Sequence, residues 1–468
     1  MAHPMVVGQR WTDLPVPDLG AWEPRDRICV VLPARDNQQE LDRTLAALAH
    51  QTYPAELMQV VVVDDGSHPH LTLPALAPPG VQLLRRDEVS SHGSGAARHA
   101  GASAAEADIL LFLDSDMIAD AHHVEAHARW HHVCDYALVL GHKSFVAVDD
   151  ITPGAIAEAS RDGQGLTALF ADRPQRRHDW QEEQIAARDG LTADDDDAFL
   201  TVVGATVSVR RDFYQRTGGF SSFGLRGIVD TEFGYRAHAR GAVIVPDLAA
   251  RSWHQGARSF SSRGGEIKRA RLGLAANHLP LPMFRPQAGG RQWAVPRVTV
   301  LVPLPSGAPD RSPTDKQMEM LLLTVDFVLA SDLTDLAVTV VTDGAELPQW
   351  FVDYVAHEAR VAIVDEAPTS GYPSPFTAVV PPSVLLGRGS LGQALELLAD
   401  DVRLLRTLPD EYATPSVEVW RTRTLERLHA AGADPGDEAV GQRWCPPEAL
   451  GIRRARPRIT PQGMVASW

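Results

Sequence analysis

Lysine is nearly missing from this chain. Of 44 basic residues only Lys143, Lys268 and Lys316 are lysines, and 60 acidic residues leave a formal net charge of −16. No segment offers the dense positive field that a nucleic acid or an anionic membrane surface requires. Both are excluded as main partners, although a local arginine pocket for a nucleotide is not. Cysteine is scarce too. Cys29, Cys134 and Cys445 lie far apart with no metal-ligand spacing, which excludes a disulfide framework and a zinc cluster and points to free thiols in a reducing compartment. No apolar run reaches the length of a membrane span, and residues 1–25 lack the basic start and apolar core of a secretory signal. A soluble, cytoplasmic protein is expected, with peripheral attachment to a membrane complex left open.

The 468 residues are too many for one ordinary domain and predict two or three, and an apolar content of 44% is enough for cores of normal size. The most informative stretch is Ile109-Leu-Leu-Phe-Leu-Asp-Ser-Asp-Met-Ile118. Five apolar residues run into Asp114, and Asp116 follows two positions later. Such a run reads as a buried parallel strand whose carboxyl end opens into a site, the end at which ligands bind in open α/β sheets. A spacing of two puts both carboxylates on one side of extended chain, an arrangement suited to a hard divalent cation and, through it, to a diphosphate. The pattern is common, and a solvated turn after a strand is its alternative reading.

Along the chain, residues 1–26 read as an extended leader. Strands are predicted at 28–32, 60–63, 81–84 and 109–113, and helices at 38–50 and 94–107. This alternation implies a parallel sheet of βαβ units, with the strand ends, Asp64-Asp65-Gly66-Ser67 and Asp114–Asp116 along one edge. His123, His127 and His131 share one face of a helix predicted over 121–132. With no carboxylate or cysteine to complete a ligand set, a partly exposed face is favoured over a metal site. Residues 147–198 read as irregular and polar, ending in a solvated acidic run, Asp194–Asp197. Asp230 opens a helix as an N-cap, with Glu232 and Arg236 spaced to pair on it.

A boundary is expected near residues 286–297, giving domains over 27–288 and 289–468. The second resumes with strands at 298–302, 338–341, 361–364 and 376–380. Ser416-Val-Glu-Val-Trp-Arg echoes Ser208-Val-Arg-Arg-Asp, which suggests a weak internal repeat. Where the first copy has Asp114-Ser115-Asp116 the second has Pro381-Pro382-Ser383, and a proline pair cannot hold a metal.

Seven pieces in order then carry a resemblance: Val30-Val-Leu-Pro-Ala-Arg-Asp36, Val63-Asp-Asp-Gly-Ser67, Gly95-Ala-Ala-Arg-His-Ala-Gly101, Phe112-Leu-Asp-Ser-Asp116, Gly218-Gly-Phe220, Asp230-Thr-Glu-Phe-Gly-Tyr-Arg236 and Trp253-His254. Over residues 28–256 the chain resembles the inverting family 2 glycosyltransferases, especially chondroitin-polymerase-like and polypeptide N-acetylgalactosaminyltransferase-like domains. The resemblance implies an α/β chain with a glycosyltransferase-A domain, Rossmann-like and mostly parallel, over about the first 260 residues; the repeat argument adds a degenerate second copy after it. It implies a nucleotide-sugar donor, UDP-linked by expectation, and a polysaccharide, peptide or small-molecule acceptor. By position it puts Pro33, Ala34 and Arg35 at the nucleotide, Asp65 at the base, and Arg98 near the diphosphate. Asp114 and Ser115 fall on the donor side, Asp116 and His254 on Mn²⁺ or Mg²⁺, and Asp230 becomes the catalytic base.

Relatives usually have Glu-Asp where this chain has Val229-Asp230, and an aromatic-Gly-Gly approach where it has Leu225-Arg226-Gly227, so the acceptor is less certain than the chemistry. Asp36 is expected to make a local backbone hydrogen bond. Two other classes compete. A nucleotidyltransferase requires a Gly-rich basic loop straight after the first strand, and Pro33-Ala-Arg-Asp-Asn37 is not one. A non-catalytic nucleotide-sugar-binding or scaffold protein need not keep the aspartates. A homo-oligomer is left open.

Overall fold

The computed structural model describes residues 5–86, 93–162, 165–223, 228–256, 264–285, 290–304, 313–399, 401–409, 414–433, 440–455, 458–460 and 463–465. The chain divides into two compact units, Met1–His238 with Ala242–Ala275, and Ala276–Trp468 with Ala239–Gly241.

In the first unit the elements run β1 (Ile28–Ala34), α1 (Gln38–Leu48), β2 (Met58–Asp64), β3 (Gln82–Arg85), α2 (Ser94–Ala104), β4 (Ile109–Leu113), β5 (Met117–Ala119), α3 (His123–His131) and β6 (Ala137–Val146). There follow α4 (Pro153–Ser160), α5 (Gly165–Phe170), β7 (Gln175–Arg177), α6 (Asp179–Ala186), β8 (Thr206–Arg210), α7 (Arg211–Arg216), α8 (Val229–Ala239), β9 (Val243–Gln255) and α9 (Gly264–His278). Every residue of β4 is buried, as are Ile28–Leu32 of β1 and Val60–Val63 of β2. These unbroken apolar runs are what a sheet covered on both faces requires. The order is β3-β2-β1-β4-β8-β6-β9-β5, with β7 on β6. Strands β1, β2, β3 and β4 are mutually parallel, as are β6 and β9, but β8 runs antiparallel to both β4 and β6. The parallel sheet expected from the alternation is therefore mixed.

The second unit contains β10 (Val298–Pro303), α10 (Asp315–Leu329), β11 (Leu336–Val341), α11 (Gln349–Val355), β12 (Val361–Val364), β13 (Phe376–Val379), β14 (Val384–Leu385), α12 (Ser390–Leu397), β15 (Leu404–Thr407), β16 (Glu418–Arg421), α13 (Thr422–Ala431) and β17 (Gln442–Cys445). Its main sheet is ordered β12-β11-β10-β13-β16-β15-β17. Strand for strand this repeats β3-β2-β1-β4-β8-β6-β9, and each pair has the same direction, including the antiparallel β16. Matching the registers of β1 with β10 and β4 with β13 sets Pro33 against Pro303 and Asp114-Ser115-Asp116 against Pro381-Pro382-Ser383. The echo around Ser416 is out of register by three. Arg210 faces Ile109 and Arg421 faces Phe376, so Ser208 corresponds to Val419. A shift of three is odd and would exchange the two faces of the strand, so the echo is a chance match beside the true repeat.

Two other expectations change. Residues 147–198 carry α4, α5 and α6, and the acidic run is tethered, with Asp197 accepting from Arg188 at 2.9 Å. The leader is not free-standing: Val6 and Leu14 are buried with Trp130 and Cys134 of the α3 region.

Candidate functional site

Arg98 stands at the centre of the site. It lies in α2, which packs on β1 and β2 with Gly101 so close that a Cβ there would meet Val31 Cγ1 at 2.4 Å. The guanidinium is buried. It donates from Nη2 to Asp114 Oδ1 at 2.6 Å and from Nη1 to Asp230 Oδ1 at 2.8 Å. Its Cζ lies over the ring of Phe220, in the Gly-Gly-Phe turn, 5.3 Å from the ring centre. Two carboxylates from distant segments, the end of β4 and the first turn of α8, thus share one cation. They hold Arg98 above its ordinary pKa against the opposing effect of burial, which is larger than either attraction. The expectation that Arg98 lies at a diphosphate is refined: both of its Nη groups already face carboxylates. Asp230 sits one residue inside α8 rather than capping it, and Glu232 pairs with Arg236 at 2.7 Å as expected.

Asp116 Oδ2 lies 3.3 Å from His254 Nε2. The contact follows from the sheet, because β5 starts straight after Asp116 and Met117 faces His254 on β9. Burial, then the neighbouring Asp114, push the Asp116 carboxyl up to about 6, opposed by His254. Its Oδ1 is buried without a hydrogen-bond partner. An orphaned buried carboxylate oxygen beside an imidazole fits a hard or borderline divalent cation. Among the described residues no group of three or more His, Cys, Asp or Glu could hold a metal, so these residues fit a cation that completes its shell with diphosphate oxygens and water.

The remaining donor-side candidates are placed as follows. Ser115 ties two strand ends together: its Oγ donates to Pro33 O at 2.8 Å and accepts from Asn37 Nδ2 at 2.7 Å. Asp65 is buried, accepting from Gly93 N at 2.9 Å and Arg86 Nη1 at 2.7 Å, and its backbone N–H donates to Ala34 O. Asp64 secures the turn by accepting from Ser67 N and Leu71 N. Arg35 is exposed, 3.5 Å from Asp36. The Asp36 bond is not local: its carboxylate accepts from His68 N, 32 positions away, at 2.8 Å, because its backbone has turned to φ 53°. Leu225-Arg226-Gly227 lies outside the described residues.

Comparison with known proteins supplies the family. Residues 29–154 match the model for "Glycosyl transferase family 2". The chain carries a family 2 glycosyltransferase domain. It is 33% identical over 93 residues to glycosyltransferase AglE of Haloferax volcanii, covering 19% of this chain and 30% of that protein. It is 36% identical over 103 residues to validoxylamine A glucosyltransferase of Streptomyces hygroscopicus subsp. limoneus, covering 21% and 22%. The chain thus spans under a third of the length of these relatives. Among solved structures, a mannosyltransferase from Pyrobaculum calidifontis overlaps at TM-score 0.35 and 18% identity, over 58% of this chain and 66% of that one. GalNAc-T7 overlaps at 0.36 and 14%, over 54% and 48%. The residues matched to the family model include Asp65, Arg98, Asp114 and Asp116 but end before Asp230 and His254, which the fold itself brings to them.

The first unit also uses residues the sequence did not single out. A Cβ on Gly204 would lie 2.5 Å from Asp230 Oδ1 and 2.6 Å from Arg98 Cζ. The clamp therefore requires glycine there, and its signal was a lone Gly in an apolar stretch. The three histidines of α3 are fully buried, which corrects the exposed-face reading. Thr206 Oγ1 meets His123 Nε2 and His127 Nε2 at 3.0 Å each, and Ser208 Oγ meets His127 Nδ1 at 2.9 Å and His131 Nε2 at 2.8 Å. Four residues of helix rise about 6 Å and two of strand about 6.7 Å, so the two ladders stay in step. The two hydroxyls, with Arg251 O at 2.9 Å from His123 Nδ1, meet every ring nitrogen except His131 Nδ1, which is buried without a partner.

Burial pushes His123 down to about 4, His131 to about 3 and His127 well below its ordinary value. The unfolded chain therefore binds these protons first. Stability is complete above about pH 6.5 and is lost as pH falls toward 4, by an amount of order several kcal/mol. Asp116, Asp120, Asp195 and Asp326, shifted upward by burial, work in the opposite direction, while His142, Asp64, Glu125 and Glu182, shifted downward, work with the three histidines. The urea midpoint should hold level from pH 7.5 to about 6.5 and fall from there to pH 4.5, and a flat profile throughout would contradict the buried ladder.

Proposed function

We propose that the first unit transfers a sugar from a nucleotide-diphosphate sugar, UDP-linked by expectation, to an acceptor hydroxyl with inversion at the anomeric carbon. The observation that supports this is the convergence of Asp114, Asp116, Asp230 and His254, from three separate stretches of chain, around or beside the buried Arg98. The relatives named above are sugar transferases, which agrees with this reading. Asp230 keeps one oxygen on Arg98, is about one-third exposed, and takes the proton of the attacking hydroxyl. The new oxygen–carbon bond forms opposite the breaking bond to phosphate, whose electron pair leaves with the nucleoside diphosphate. A Mn²⁺ or Mg²⁺ ion held by Asp116 and His254 would neutralise that charge. Ser115 and Asn37 fix the ends of β1 and β4 beneath the donor, and Pro33, Ala34, Arg35 and Asp65 surround the nucleoside.

Residues 27–288 are the proposed catalytic domain. Residues 289–468 form a copy without its own metal site, since Pro381, Pro382 and Ser383 replace the carboxylates. A nucleotidyltransferase gains no support, because Arg35 and Asp36 are the charged residues after β1 and they face each other. A thermal-shift screen of the full chain with Mn²⁺ or Mg²⁺ against UDP, GDP, CMP and dTDP tests the reading. One nucleotide should stabilise the protein only with metal, by about 2.7 kcal/mol at a hundred times its dissociation constant. A folded protein that answers to none would favour the scaffold reading.

A further inference from the structure

A second concavity of about 480 Å³ opens in the first unit away from Arg98, a volume in the range of small-molecule sites. Its walls are mostly apolar, from Trp11, Leu140, Ile185 and Pro246, while His142, Gln181 and Glu182 bring polar groups to one end. The sheet is shaped to make it. Gly141 on β6 faces Asp247 on β9, but His142 faces Arg251. The residues Leu248–Ala250 are therefore extra on β9, and of them the exposed Leu248 lines the cavity, which is how a bulge re-aims a strand beside a site. The opposite wall is α6. His142 Nε2 lies 3.5 Å from Glu182 across the polar end, and Gln181 is fixed by His178 Nδ1 at 2.8 Å and by the buried Lys143 Nζ at 3.1 Å.

Two observations connect this cavity with the transfer site. His178, on its wall, meets the Phe145 ring at 5.8 Å, and Phe145 meets His254 at 4.9 Å. The polar end is thus two ring contacts from the proposed metal side. The α6 wall also belongs to the long connection between β6 and β8, residues 147–205. In the second unit the equivalent strands β15 and β16 are joined by residues 408–417 alone. The copy that keeps the carboxylates is the copy that builds the cavity.

We propose that this cavity seats the acceptor, and that the acceptor carries a hydroxylated ring with an apolar face or apolar substituent. The inference rests on the transferase reading of the neighbouring site. An aromatic and aliphatic wall takes the apolar side of such a molecule, and His142 Nε2 and Glu182 Oε1, 3.5 Å apart, take its hydroxyls, while the Gln181 amide is used by His178, Lys143 and Thr201 O.

The test is a titration of p-nitrophenyl β-D-glucopyranoside into the full chain by saturation-transfer NMR. Glucose and p-nitrophenol serve as half-ligands, and the variant is Ala186→Trp, which fills the cavity from an exposed position on α6. Ile185→Trp is a second filler should the first disturb folding. The glycoside should bind better than either half, weaken by at least about tenfold in the filled variants, and resist displacement by UDP with Mn²⁺. No binding, equal binding in the variants, p-nitrophenol alone binding as well, or displacement by UDP would each overturn the assignment. None of these readouts needs turnover, so they fail independently of the transferase reading. Once the nucleotide screen has named a donor, Ala186→Trp should lower transfer to the glycoside and leave hydrolysis of the donor by water unchanged. Equal transfer in both proteins would also overturn it.

Discussion

Changing Asp230 to asparagine should reduce sugar transfer by roughly 10²–10⁴-fold in kcat while leaving nucleotide affinity almost unchanged. The substitution is nearly isosteric. Its amide oxygen can still accept from Arg98 Nη1, which now sits 2.8 Å from Asp230 Oδ1, so Arg98 keeps its place and goes on bonding Asp114. What disappears is the only feature of the side chain the reaction consumes, the ability to take a proton. On the proposed reading donor binding rests on the ends of β1, β2 and β4, none of which bonds Asp230. The check is a pair of measurements on one preparation: product formation under saturating donor and acceptor, and thermal stabilisation by the matching nucleotide with metal. A kcat within tenfold of the parent would move the base elsewhere. Asp230 would then be a carboxylate in the first turn of α8, favoured there by the helix dipole and by Arg98.

The parts of this architecture that were legible in advance are those fixed by local pattern. Apolar runs such as Ile109–Leu113 are strands because they are buried on both faces, whereas Val361–Val364, also bounded correctly, is a half-exposed edge strand whose signal was its β-branched composition. Asp116 and His254 were paired by resemblance, and β5 against β9 supplies the geometry. Partners chosen across the fold were not legible. Nothing near Arg98 in the sequence indicates that one guanidinium will join residues 114 and 230, and nothing in α3 indicates that Thr206 and Ser208 will face its histidines. The exposed-face reading failed because a helical stripe of His has the same spacing whether its partner is water or a strand of hydroxyls. The repeat was seen faintly and at the wrong register near Ser416. Sheet order, with its antiparallel fifth strand in both units, makes it plain where sequence identity has faded.

Changing Asp116 to asparagine should separate stability from activity. In the free protein Asp116 has one oxygen near His254 and the other buried without a partner, with Asp114 two residues away. Burial and that second carboxylate raise it to about 6, so at pH 7.5 the native state carries a charge that it holds less comfortably than the unfolded chain does. Asparagine removes the charge and should raise the melting temperature of the metal-free protein. The gain is roughly 1 kcal/mol once solvent screening of a side chain about one-third exposed is allowed for. The same substitution removes an anionic ligand. Affinity for Mn²⁺ in the presence of nucleotide should fall by more than about 100-fold, since even outer partners of metal ligands cost 10–100-fold when lost. The parent protein should lose Mn²⁺ affinity more steeply below about pH 6 than the variant does, because in the parent a proton also competes for Asp116. Manganese titration by electron paramagnetic resonance at pH 5, 6 and 7.5, beside melting curves of the metal-free proteins, measures all three effects. Equal Mn²⁺ affinity in parent and variant would remove Asp116 from the metal site, whatever the melting curves show.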